Sequence, residues 1–328
     1  MAEEEPSSLA SIAKSQRLPI KEFEKQYKEH LSGYHQWDQK DHADKWILFE
    51  KNIGEKLSID EVAITNGELY TVVTNKAGKG GKGSLLMIGE GVKTHAIIDV
   101  LATLPEEKRL AVKEVTLDMS NAMDAIVRHS FPSASIVTDR FHVQQLVSEA
   151  LQEVRSVLRR TAIQEETAAI LKEKKEKKIY KPFLYENGDS KKQLLARSFH
   201  LLFKSTSKWT LRQTERAAIL FREFPKINEA YQLSMMFRSW YENNTDKEQA
   251  KHNLQKWYQK VHEKKIPSFL VAAHSIQAHE DSILNYFNNR STNASAESFN
   301  AKLKGFRALV RGVRDVKFFL FRIGKLYG

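Results

Sequence analysis

The sequence predicts an α/β protein: a mixed β-sheet covered by helices, with a large all-helical insertion ahead of its last elements. Three observations carry this. Residues 57–89 read as three short strands in succession, rich in β-branched and aromatic residues. Helix and strand then alternate up to about residue 160. From 161 to 290 valine becomes scarce, and Leu, Lys, Glu, Phe and Trp recur at helical spacing.

Residues 1–54 form a polar helical lead-in, where Phe23, Tyr27 and Leu31 fall on one helical face. KLSIDEVAI places Leu57, Ile59, Val62 and Ile64 in a strand, and ELYTVVTN supplies a second. Asn66-Gly67 between them is a strong hairpin signal. NKAGKGGKG lacks the GK[ST] ending of a phosphate loop, so it reads as a turn before the strand SLLMIG. THAIIDVLATL is a helix stopped near Pro105, and VKEVTL is a strand that runs into Asp118. SNAMDAIVRHS is a helix with Ser120 as its N-cap, ending before Phe131-Pro132. ASIVT is a strand that reaches Asp139, and a helix follows from near Phe141. Three antiparallel strands followed by αβ units give a mixed sheet. Residues 55–160 are therefore the first part of a core, 161–290 a helical insertion of about five helices, and 291–328 a basic helix and an aromatic helix that complete the core. In the insertion, Trp209, Trp240 and Trp257 read as core packing rather than base-stacking platforms.

Lys plus Arg number 52 against 41 Asp plus Glu, and this +11 excess points to a polyanionic partner, nucleic acid above all. Cysteine is absent, which excludes disulfides and thiolate zinc sites; no HExxH pair occurs either. A metal here would be held by oxygen or imidazole, and carboxylates favour Mg²⁺ or Mn²⁺. No apolar run approaches the roughly 20 residues of a membrane span, and the acidic start MAEEEPSSLA is not a signal peptide. The expected compartment is the cytoplasm.

Two apolar strands end on carboxylates, Asp118 and Asp139, and a third carboxylate, Asp60, sits inside a strand between Ile59 and Val62. An acid at a strand's C-terminal end lies at a sheet edge, where α/β proteins hold ligands. A carboxylate among apolar neighbours costs desolvation energy unless paired or bound to a metal. Other readings stay open: Asp60 as a turn cap or lysine partner, Asp118 as a helix N-cap, and Asp139 as the second ligand in its place. If the fourth strand lies beside the first, Asp60 and Asp118 become neighbours, which is the arrangement of a ribonuclease-H-like core.

On SIDEVAI, VTLDMSNAM, FPSASIVTDRFHVQQLV and TNASAESFNAKLKGFRALVRGVRDVKFFLFRI, the chain resembles the ISL3-type DDE transposases of bacterial insertion sequences, from about residue 55 to 328. The resemblance implies that Asp60, Asp118 and Glu297 are the catalytic, metal-binding triad. It makes Asp139 and His142 a supporting D-x-x-H pair. Apart from the resemblance, Asn300 lies one helical turn after Glu297 on the same face and is a candidate to orient Glu297 or touch phosphate. Lys302, Lys304, Arg307, Arg311 and Arg314 follow closely as candidate DNA contacts. The all-helical block accounts for the long gap between Asp118 and Glu297. The implied chemistry is DNA cleavage and 3′-OH strand transfer with two Mg²⁺ or Mn²⁺ ions about 4 Å apart.

The partners implied are element ends and target DNA, a homo-oligomer that holds two ends, and no membrane; the chain would be nucleoid-associated. The N-terminal zinc-binding and helix-turn-helix region of full-length relatives has no counterpart in residues 1–54, so the expectation is either a separate end-recognition polypeptide, the reading preferred here, or a truncated product. Two rival readings remain: a ribonuclease-H-fold nuclease without strand transfer, and an inactive DNA-binding derivative.

Overall fold

The computed structural model describes residues 3–65 and 68–328. The Asn66-Gly67 turn expected above lies outside the described residues. The chain divides into two compact units, residues 1–139 with 289–328, and residues 140–288.

The first unit begins with α1 (Leu9–Ser15) and α2 (Ile20–Gln26), and a single π-wound turn at Tyr27–Leu31 follows α2. The strands are β1 (Trp46–Leu48), β2 (Lys56–Thr65), β3 (Glu68–Asn75) and β4 (Leu85–Glu90). Next come α3 (Thr94–Leu101), α4 (Glu106–Leu110), β5 (Glu114–Leu117), α5 (Asn121–Ser130) and β6 (Ser135–Thr138). The strands form one sheet in the order β1-β4-β3-β2-β5-β6. Pairing is antiparallel from β1 through β2 and parallel from β2 through β6. This mixed sheet is the one a ribonuclease-H-like core requires. Its edge strand β1 has no counterpart among the strands expected from sequence: three residues are too few for a period-2 pattern to register.

Alternation along the strands splits the sheet into two faces. Leu57, Ile59, Val115 and Leu117 pack with Ile97 and Leu101 of α3 and with Met123, Ile126 and Val127 of α5. Val62, Ile64, Tyr70 and Val72 face the other way and pack under the two last helices, α14 (Ala294–Leu309) and α15 (Val316–Tyr327). On this second face, β2 and β5 carry Ser58, Asp60, Glu114 and Thr116 in place of apolar side chains. One sheet face is therefore half apolar seat and half polar strip.

The second unit holds α6 (Arg140–Lys175), α7 (Lys191–Arg197), α8 (Leu211–Glu223), α9 (Pro225–Asn243), α10 (Lys247–Lys264), α11 (Pro267–Ala278) and α12 (Glu280–Leu284), and α13 (Tyr286–Asn289) leads out of it. Its core is aromatic: Phe237 and Trp257 lie 4.8 Å apart, centroid to centroid. Trp257 donates to the Leu233 carbonyl and Trp240 to the Ala250 carbonyl, so both indoles are buried and bonded, as core packing predicts. The chain then returns to the first unit as α14 (Ala294–Leu309) and α15 (Val316–Tyr327). Among the described residues, no helix is long and apolar enough to cross a membrane.

Candidate active site

The parallel ladders line up the three strand carboxylates. β5 pairs with β6 so that Leu117 faces Thr138, which sets the next residues, Asp118 and Asp139, side by side. Each offers a carboxylate oxygen within 4.8 Å of the other. β2 pairs with β5 so that Ser58 faces Thr116, and the same register carried two residues further brings Asp60 abreast of Asp118. Period-2 alternation turns Asp60 to the polar strip, away from Leu57 and Ile59.

Each acid is held by its local structure. Asp60 is half-buried; its Oδ1 accepts from the Glu61 N–H at 2.7 Å and its Oδ2 from Asn300 Nδ2 at 2.7 Å. Burial, and next to it the charge of Asp60, push the neighbouring Glu61 carboxyl up from its ordinary value. Asp118 lies in the short connection between β5 and α5, where the cap of α5 is Ser120, whose hydroxyl accepts from the Met123 N–H. Asp139 is 2% exposed, and its Oδ1 accepts from the backbone N–H of Asn293 at 3.3 Å. His142 lies in the first turn of α6, within the second unit.

α14 brings the remaining candidates. Phe299, Leu303 and Phe306 seat it on Val62, Ile64 and Val72. Asn300 is buried on that side and reaches Asp60, while Glu297, one turn earlier, is exposed. The helix meets the loop after β3: Lys302 donates to the Gly80 carbonyl at 2.7 Å. Gly80 has φ +69, and a Cβ there would stand 3.3 Å from the Phe299 nitrogen. Gly80→Ala should therefore cost about 1–2 kcal/mol from the backbone conformation and the crowding together, read as a lower urea midpoint. Lys304, Arg311 and Arg314 are exposed and Arg307 half-buried, along and just beyond the same helix.

Two features were not foreseen from sequence. One is Asn293, buried directly ahead of α14. The other is a polar network on the strip: Lys76 Nζ meets Glu114 Oε1 at 3.1 Å and bonds Thr116 and Ser291, while Asn289 Nδ2 donates to Glu114 Oε2 at 2.6 Å. Its signal was the alternation of Glu114, Thr116 and Asp118 with Val115 and Leu117. The partners, far away in sequence, left none.

Asp60, Asp118 and Asp139 offer carboxylate oxygens, which suit hard divalent cations. Asp139 Oδ2 is buried without a hydrogen bond among the described residues, which fits a carboxylate with a cation to meet.

Comparison with known proteins agrees with the geometry. Residues 57–323 match the family model of the ISL3-type DDE transposases, described as transposase. The chain is 24% identical over 278 residues to the "Transposase for insertion sequence element IS1557" of Mycobacterium tuberculosis, in strains CDC 1551 / Oshkosh and ATCC 25618 / H37Rv. That match covers 82% of this chain and 60% of each relative, so the chain spans about 60% of the length of the curated relatives it matches. No solved structure matches.

Proposed function

We propose, for a chain that belongs to the ISL3-type DDE transposases, that it carries the catalytic part of an insertion-sequence transposase. The observation that supports this best is the row of carboxylates across adjacent parallel strands, Asp60 within β2 and Asp118 and Asp139 just past β5 and β6, with α14 tied to Asp60 through Asn300. Asp60, Asp118 and Glu297 are the proposed catalytic and metal-binding residues. Asp139, His142 and Asn300 support them.

Two Mg²⁺ or Mn²⁺ ions would be held by these carboxylates and would stabilise charge on the attacking and leaving oxygens. In the first reaction a water oxygen bonds to a phosphorus at the element end. The P–O3′ bond breaks, and the departing oxygen takes a proton to become a free 3′-OH. In the second, that 3′-OH bonds to a target phosphorus as the target's P–O3′ bond breaks, so phosphodiester number is conserved. The chain's own share is positional. Asn300 fixes the Asp60 carboxylate, the β5–α5 connection presents Asp118, and α14 presents Glu297 beside a cationic row.

The test is Mn²⁺-dependent nicking of supercoiled plasmid, followed by joining of a labelled 3′ end to target DNA. Asp60→Asn, Asp118→Asn and Glu297→Gln should abolish both, and Asp139→Asn should only weaken them. Nicking without joining would favour a nuclease. DNA binding with no metal-dependent cleavage, even with an end-recognition polypeptide supplied, would favour an inactive derivative.

Lys302, Lys304, Arg307, Arg311 and Arg314 are proposed to track DNA phosphates. Replacing two of the exposed ones, Lys304 and Arg311, by Ala should weaken binding to any sequence. The slope of log affinity against log salt should become shallower by about 0.9 for each phosphate that is no longer neutralised. A homo-oligomer belongs to the same proposal, because two ends must meet one target; mass measurement on paired-end DNA tests it. A separate end-recognition polypeptide is refuted if this chain alone binds one terminal repeat with high specificity.

A further inference from the structure

We propose that Asp139 and Asn293 join Asp118 in a divalent-cation subsite at the edge where β5 and β6 end. Asp118 and Asp139 would supply ligand oxygens, and the Asn293 amide would bond the cation's water shell. The cation comes from the transposase reading, on which this inference rests; the roles of Asp139 and Asn293 go beyond it.

The argument begins with two carboxylates whose oxygens lie within 4.8 Å, one of them on a side chain 2% exposed. Like charges so placed, one of them buried and the other half-buried, repel each other, and a cation between them removes that cost. Oxygens bound to one octahedral Mg²⁺ at about 2.1 Å stand roughly 3–4 Å apart, which the pair can meet with small side-chain adjustment. Asp139 has one oxygen committed to the Asn293 N–H at 3.3 Å, and its other oxygen, Oδ2, is buried with no hydrogen bond among the described residues.

A shared proton would leave Asn293 unexplained. This side chain is 1% exposed, and neither its Oδ1 nor its Nδ2 is hydrogen-bonded among the described residues. Asn directly ahead of a helix ordinarily caps it with its side-chain oxygen. Here the side chain makes no cap bond, and it is the backbone N–H that engages Asp139. Buried amide groups without partners are destabilising, so their retention next to a carboxylate pair calls for a polar occupant. Ser295 Oγ and Asn300 Oδ1, in the first two turns of the same helix, are buried in the same condition. A hydrated Mg²⁺ or Mn²⁺ meets these needs together: it accepts carboxylate ligands directly and keeps several waters that donate and accept.

The experiment is Mn²⁺ titration of the full chain without DNA, following free Mn²⁺ by electron paramagnetic resonance, alongside metal-free thermal unfolding. Asp139→Asn and Asn293→Ala should each raise the Kd of one Mn²⁺ by about 10–100-fold. The near-isosteric Asn293→Asp adds a negative charge and should bind at least as tightly as wild type. Wild-type affinity in Asp139→Asn or Asn293→Ala, with only a lower unfolding temperature, would overturn the inference and leave the transposase reading standing. No Mn²⁺ uptake by wild type would overturn it as well; plasmid nicking would then judge the transposase reading separately.

Discussion

Asp118→Asn is expected to lower metal-dependent nicking by on the order of 10³-fold, corresponding to several kcal/mol of lost charge stabilisation at the reacting phosphate. The protein should still fold and bind DNA. Asp118 lies beyond Leu117, the last ladder residue of β5, so the amide disturbs no sheet hydrogen bond. Asp60→Asn should lose as much activity but is less innocent structurally. Its carboxylate accepts from both the Glu61 N–H and Asn300 Nδ2, and an amide can satisfy only one of them with oxygen. About 1 kcal/mol of stability should go with it. Asn300→Ala separates the two effects. It leaves the charge of Asp60 in place and removes only its clamp, so nicking should fall far less than in Asp60→Asn. The measurement is single-turnover nicking against Mn²⁺ concentration, with a gel-shift assay at each variant. An Asp118→Asn protein as active as wild type, alongside a dead Asp139→Asn protein, would move the second carboxylate to Asp139.

These expectations separate what local sequence can carry from what it cannot. The three antiparallel strands, the two αβ units and the aromatic helical block were legible because each depends on hydrophobic period over a handful of residues. Carboxylates at strand ends were legible for the same reason: Val115 and Leu117 point inward, so Asp118 stands at the boundary. Strand β1 was not, being three residues whose pairing with β4 is decided by a neighbour some forty positions on. The bond of Asn300 to Asp60 is a tertiary fact, as is the exposure of Glu297 one turn before it. Nothing local says that the Asn293 side chain is buried and without a hydrogen bond among the described residues. Period and capping report on one element at a time, and a site is made where several elements meet.

Glu114→Ala is expected to destabilise the first unit by about 3–5 kcal/mol, the usual cost of removing one partner from a buried ion pair. The pair sits on the polar strip of the sheet, with Lys76 held by Glu114 and Thr116, and with Asn289 and Ser291 bonded to the same carboxylate. Asn289 and Ser291 belong to the stretch that leads into α14, so the network fixes where that helix begins. Burial pushes the Glu114 carboxyl up, but Asn289, Ser291 and Lys76 together outweigh it and hold the group below its ordinary value of 4.5. Burial favours the neutral amine of Lys76, and the Glu114 charge only partly offsets this, so the two groups do not shift as a simple exposed pair would. The Glu114 direction is decisive on the acid side, since three donors converge on that carboxylate. A depressed folded-state pKa means that the stabilisation is present above the unfolded carboxyl range and drains away as pH falls through the folded value. Wild type should therefore lose stability steeply below about pH 4.5, and Glu114→Gln should flatten that loss. Lys76→Met should be costly alone, because it strands the carboxylate. Lys76→Met combined with Glu114→Leu removes both charges and should be less destabilising than the two single losses added together. Urea midpoints of wild type, Lys76→Met, Glu114→Leu and the double variant, at neutral and acid pH, decide it. Additive losses would mean that the pair is not coupled, and that α14 is held by its apolar seat of Phe299, Leu303 and Phe306 alone.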